Sequence, residues 1–339
     1  MNQPCYDHLV RLTDDVGIFE HALGAVPRRE HGYTTDDNAR ALMLILEAED
    51  PDLDALAWTY LSFLLHAHVG DGVFRNRLGY DRRWRDEGES DDASGRALWA
   101  LARCVATAPD ELAFPAQEAL ESGRDFTSSH LRSACFGVLA GCELLRVDRY
   151  DPVGRRLVET NLEVVRGWIA GTDEDPDWPW PEDRLRYDNA RIPQALLEAG
   201  RCTGDGKLID RGVRLLEWLW AVQTRGSHLS VVSHRGWERD GPRPRFDQQP
   251  LELAALADAA WVASATTGED RWSGLLEQAW GWFEGENDLG VRMYDPVTCG
   301  GYDGLTPDGP NRNQGAESTI SMLTTLQRAR VGVRRGGSR

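Results

Sequence analysis

The tetrapeptide Asp-Asn-Ala-Arg is written twice in this chain, as residues 37–40 within TTDDNARAL and as residues 188–191 within RYDNARIPQAL, each time ahead of an apolar run. An aspartate three residues before an arginine on a helix can be a plain ion pair, worth about 0.2 to 0.5 kcal/mol. Placed at the entrance of a helix that borders a cavity, the same carboxylate becomes chemical equipment, and two of them supply an acid and a base. Such a pair suits hydrolysis of a glycosidic bond. One carboxyl protonates the leaving oxygen while the other activates water at a separation of about 6.5 to 9.5 Å, or attacks directly at about 5 to 5.5 Å. The acid needs its pKa raised by burial or a neighbouring charge, and its partner must stay ionised. Asp36 beside Asp37 provides like-charge crowding of that sort. Asp37 and Asp188 are therefore the first catalytic candidates, with Asp247 in FDQQPLE and Glu317 in NQGAEST as the others.

Sugar binding calls for flat apolar faces beside hydrogen-bonding edges. Of 13 tryptophans, Trp84, Trp178, Trp180 and Trp237 fall in polar connecting segments, whereas Trp99, Trp168, Trp218 and Trp261 sit on helical patterns as packing residues. The binding candidates in the first half are His31, Tyr33, Asp36, Arg40, Asp92, Arg96 and His130. In the second half they are Trp180, Tyr187, Arg191, Gln248, Gln249, Tyr302, Asp303 and Asn313. Aspartates at helix starts are also ordinary caps and first-turn acids, so each has a purely structural reading beside the functional one.

These residues need elements to position them. VGRRLVETNLEVVRGWIA places Leu157, Val158, Leu162, Val165, Trp168 and Ile169 at helical spacing with charges between, a helix with one wet face. LDALAWTYLSFLLHAHV, LIDRGVRLLEWLWAVQT and DRWSGLLEQAWGWFEGE repeat the pattern. Interleaved with them are six less charged segments, beginning at Asn38, Ala93, Leu131, Asn189, Pro250 and Ala316, which read as helices buried nearly all round. Stacked helical hairpins with a period of about 50 residues bury a shared core between layers. The expectation is an all-α (α/α)6 barrel of six helical hairpins, with long loops and short β-hairpins at one mouth, and an open α-solenoid as the alternative. A helix near residues 5–12 would be the sixth outer member. In such a ring Asp37 and Asp188, opening the first and fourth interior helices, stand opposite one another. Residues 1–330 are expected to form one domain and 331–339 a basic, disordered tail.

A net charge of −17 on 339 residues argues against nucleic acid or an anionic membrane as partner. No apolar run approaches a membrane span and the start has no leader-like pattern, so a cytoplasmic location is expected. Six scattered cysteines lack metal or redox spacing, which makes buried thiols the default and gives no reason for a metal or organic cofactor. There is no GxSxG elbow for a serine hydrolase, and no strand–helix alternation with a Gly-rich phosphate loop for a nucleotide sugar. The acidic DEDPDW at 173–178 is expected to turn the chain.

The segments HGYTTDDNARAL, YDNARIPQALLEAG, FDQQPLELAAL and YDGLTPDGPNRNQGAEST resemble a bacterial family of (α/α)6-barrel proteins of unassigned activity, found alone or fused behind glycosyltransferase domains. The resemblance covers nearly the whole chain and extends to the six-hairpin glycosidase superfamily. It implies a carbohydrate substrate and a functional link to a glycosyltransferase. Glycoside hydrolysis of a neutral oligosaccharide or polysaccharide by carboxylate acid and base is the leading expectation. A sugar epimerase or phosphorolytic enzyme on the same fold, and a non-catalytic glycan-binding accessory domain, are the rivals.

Overall fold

The structure, a computed structural model, describes residues 3–48, 50–86, 88, 90–172 and 175–336, with side chains as far as residue 331. Among the described residues are twelve α-helices and seven short antiparallel strand pairs, each strand two or three residues long. The helices are α1 (Asp7–Leu12), α2 (Thr35–Leu46), α3 (Asp54–Ala67), α4 (Asp91–Thr107), α5 (Asp110–Ser122) and α6 (Leu131–Val147). They continue with α7 (Pro152–Ile169), α8 (Arg191–Thr203), α9 (Gly206–Val222), α10 (Pro250–Thr267), α11 (Arg271–Glu284) and α12 (Ala316–Gly336). All six segments read as buried from their composition are helices: α2, α4, α6, α8, α10 and α12. The one helix the periodicity did not announce is α5, where Pro115 inside the helix breaks the pattern. Asp173 and Glu174 of the acidic turn, and residues 337–339 of the tail, lie outside the described residues, while α12 carries the chain on to Gly336.

The chain divides into two compact units, Leu9–Gly167 and Met1–His8 with Trp168–Arg339. In the first, α4 packs between α2 and α6. From Leu131 to Leu144 every residue of α6 is buried, so Ala, Gly and Cys face the neighbours where bulk would not fit. Gly141 shows why: a Cβ there would stand 2.6 Å from the carbonyl oxygen of Gly154 on α7. A buried ion cluster ties the three interior helices at their C-terminal ends. Arg103 of α4 donates from Nε to Glu143 of α6 at 2.8 Å and also bonds Glu47 at the end of α2. Burial pushes the Glu143 carboxyl up, but Arg103 and Arg146 outweigh it and hold it below the usual carboxylate range.

In the second unit α10 packs against α8 and α12. Asp258, a buried acid midway along α10, accepts from Arg191 at the start of α8 at 2.7 Å and from Arg328 of α12 at 2.6 Å. Tyr6 and His8 dock the N-terminal residues onto this unit through Gln327 and the Gln314 carbonyl. Cys5 and Cys299 form a disulfide across a sequence separation of 294. This corrects the expectation of six free thiols, since only Cys104, Cys135, Cys142 and Cys202 are free. The separation hid the pair, because spacing reveals disulfides only in short frameworks. Disulfides persist mainly in oxidising compartments, which bears against the expected cytoplasmic location. Among the described residues no helix is long and apolar enough to cross a membrane.

Candidate functional site

In the unit Leu9–Gly167 the N-terminal ends of α2, α4 and α6 are joined by a row of carboxylates. Thr34 caps α2, its Oγ1 accepting from the Asp37 amide at 3.0 Å and donating to the Asp37 carboxylate at 2.7 Å. Asp37 also receives Arg40 at 3.1 Å, the ion pair expected from its spacing, and is almost fully buried. Asp36, the next residue outward, remains about a quarter exposed and accepts from Arg96 of α4 at 2.8 Å. Arg96 is itself enclosed, with its guanidinium 4.2 Å from the centre of the Phe136 ring on α6. One turn before Arg96, Asp92 accepts from Ser133 of α6, and Asp91 accepts from Ser128 at 2.5 Å. Four aspartates in two adjacent pairs, three interior helices and one buried arginine thus make a continuous polar rim. His130, exposed at the start of α6, lies beside it in sequence. Tyr33 belongs elsewhere: it is buried against Phe19 and donates its hydroxyl to Asp14 at 2.7 Å.

The second Asp-Asn-Ala-Arg keeps its ion pair, Arg191 to Asp188 at 3.0 Å, in a different backbone setting. Asp188 precedes α8 with φ +51°, a left-handed conformation that asparagine and aspartate tolerate better than other side chains. Its amide donates to Glu252, which also accepts from the Asn189 side chain at 3.0 Å. Asp188 has no exposed surface, and Arg191 is drawn into the Asp258 cluster. Both are buried, whereas Tyr187 just before them is 38% exposed.

Other candidates of this unit divide in the same way. Asp247 is part-exposed with its carboxylate 3.8 Å from His234 Nδ1. Gln249 immediately precedes α10 without a side-chain capping bond, Glu317 opens α12, and Tyr302 and Asn313 are part-buried. Asp303 accepts from the Gly315 amide and from Ser318, both at 2.8 Å, which makes it a loop brace. Of the four loop tryptophans Trp178 and Trp180 are buried, with Trp180 stacked 5.8 Å from Trp218, while Trp84 and Trp237 are part-exposed. Gln248 is likewise fully buried, accepting from Trp282 at 2.8 Å and donating to Asp288 at 2.6 Å.

Asp288 is the hub that sequence reasoning missed, for nothing in GENDLGV sets it apart. Burial pushes its carboxyl up, but hydrogen bonds from Ser230, Arg245, His228 and Gln248 prevail and hold it at about 2. A carboxyl depressed from its ordinary 3.8 contributes stability above that value and loses it as pH falls towards about 2. The contribution is about 2 kcal/mol. Urea unfolding of Asp288→Asn should therefore show a deficit of that order at pH 6 that shrinks progressively below pH 4, and a pH-independent deficit would contradict the assignment. Glu252, Asp258 and Glu143 were missed too, although an acid inside an otherwise apolar helix is a signal that was available.

No family model and no curated protein sequence matches the chain. Solved structures do. A sugar epimerase from a ruminal bacterium superposes with TM-score 0.73 at 12% identity, over 97% of this chain and 95% of that one. Cellobiose 2-epimerase from Spirochaeta thermophila DSM 6192 gives 0.69 at 15% identity, over 97% and 96%. An inactive variant of the α-1,6-mannanase of Salegentibacter sp. HEL1_6, with two consecutive aspartates changed to asparagine and α-1,6-mannotriose bound, gives 0.66 at 10% identity over 96% of each chain. The likeness shows the fold, an (α/α)6 barrel, which these neighbours, epimerases and a mannanase by name, also have.

Proposed function

We propose that this protein is a glycoside hydrolase acting on a neutral oligosaccharide, with the aspartate rim of α2 and α4 as its acid and base. The observation that carries the proposal is the pair Asp36–Asp37 at the entrance of α2, set against the second pair Asp91–Asp92 at the entrance of α4. The mannanase neighbour is inactive with two consecutive aspartates replaced. A consecutive pair at a helix start places two carboxylates near one substrate. Arg96 pairs with Asp36 and Arg40 with Asp37, which fixes where both carboxylates lie. Asp188, fully enclosed, is assigned a holding role for Arg191. A negative charge on the protein favours a neutral sugar, and a glycosyltransferase remains the expected functional neighbour.

A specific contact favours a second proposal, sugar epimerisation. His234 beside Asp247 is an imidazole with a carboxylate within reach, both part-exposed, which suits removal of a proton next to a sugar carbonyl. Incubation with gluco-, manno-, galacto- and arabino-oligosaccharides, followed by mass spectrometry and anomeric NMR, separates the two. Shortened products are expected. Isomers of unchanged mass would replace hydrolysis with epimerisation, and no product from the full panel would sink both.

A further inference from the structure

The hairpin that precedes the aspartate rim carries a second cluster, made of imidazoles. Glu20, His21 and His31 present one ligand atom each, all within 4.8 Å of one another. We propose that these three side chains bind a divalent transition-metal ion, with zinc the best match to two nitrogens and one carboxylate. The inference is independent of the hydrolase proposal.

The backbone already holds the ligands together. The Glu20 amide donates to the Gly32 carbonyl at 3.0 Å and the Arg28 amide to the His21 carbonyl at 2.8 Å, while the strands Ala22–Leu23 and Val26–Pro27 close the turn between them. Residues 20 and 21 therefore lie across the hairpin from residue 31. The rings of His21 and His31 meet edge to face with centroids 4.8 Å apart. His21 Nε2 is 3.7 Å from Glu20 Oε1. Two ligands on a tetrahedral zinc with bonds of about 2.1 Å are about 3.4 Å apart, so that edge needs only a small side-chain adjustment. The other oxygen of Glu20 is held by Arg77 at 2.8 Å, which turns Oε1 towards His21. Outer partners of this kind orient a metal's ligands.

Three protein ligands on an exposed edge leave a coordination position for water or a ligand from solution. His31 then serves as a metal ligand rather than a sugar contact. Calcium and magnesium are poorly served, since they want oxygen donors and more of them.

The test uses the full chain, freed of any affinity tag. Calorimetry with zinc chloride and the visible spectrum of the cobalt(II) form should show one ion per chain. His21→Ala and His31→Ala should each weaken binding at least about tenfold with unchanged circular dichroism, because both side chains are surface groups. No binding below about 1 mM zinc, a range of affinity hardly stronger than 4 kcal/mol, would overturn the proposal. So would a His21→Ala/His31→Ala double variant that binds as tightly as the parent.

Discussion

Replacing Asp36 and Asp37 together by asparagine is expected to lower kcat by about a thousandfold, within the range that one acid or base contributes. The chain should still fold. Asparagine preserves the shape of both side chains and can keep the exchange with Thr34, whereas the charges facing Arg40 and Arg96 are lost. A modest fall in melting temperature should therefore accompany the loss of rate, with oligosaccharide affinity largely retained in calorimetry. Asp91→Asn/Asp92→Asn serves as the internal comparison, because those carboxylates accept from the serine hydroxyls of Ser128 and Ser133. Full activity in the first variant and loss in the second would move the chemistry to α4. Full activity in both would remove the rim from the mechanism altogether.

The largest expected effect on stability lies well inside the second unit. Asp258→Ala should cost about 3 to 5 kcal/mol in urea unfolding, since it removes the buried carboxylate that Arg191 and Arg328 share. Arg191 and Arg328 both donate to this carboxylate, and burial raises its pKa less than they lower it. The benefit is present above the ordinary carboxylate range and is lost as pH falls through the lowered value. Asp81→Ala, which removes an exposed pair with Arg85, should change nothing measurable. Equal effects from the two substitutions would contradict the account of α8, α10 and α12 as joined through Asp258.

The helices were legible because their two kinds differ in composition. Outer helices such as α7 alternate charge and apolar surface, and interior ones such as α6 replace charge with Ala, Gly and Cys, because close helix packing leaves no room for more. Spacing also revealed both Asp-to-Arg pairs. What it could not reveal was their unlike surroundings: Asp37 sits inside the first turn of α2, while Asp188 bends left-handed ahead of α8. That difference is imposed by Glu252, sixty-four residues away, through a bond to the Asp188 amide. Loop side chains were the least legible for a related reason. Gln248 and Trp180 have the composition of sugar ligands, but partners distant in sequence, Trp282 and Trp218, enclose them. Local pattern reports which residues are apolar and at what period; it does not report which polar groups find each other across a loop.

The Cys5–Cys299 bond closes residues 5–299 into a covalent ring. A single cut anywhere between those cysteines leaves one covalent molecule, so the exposed loops can be nicked by a protease without releasing a fragment until a reductant opens the ring. The same closure restricts how far the unfolded chain can spread, so refolding begins with the docking partners of α12 and the N-terminal residues already tethered near one another.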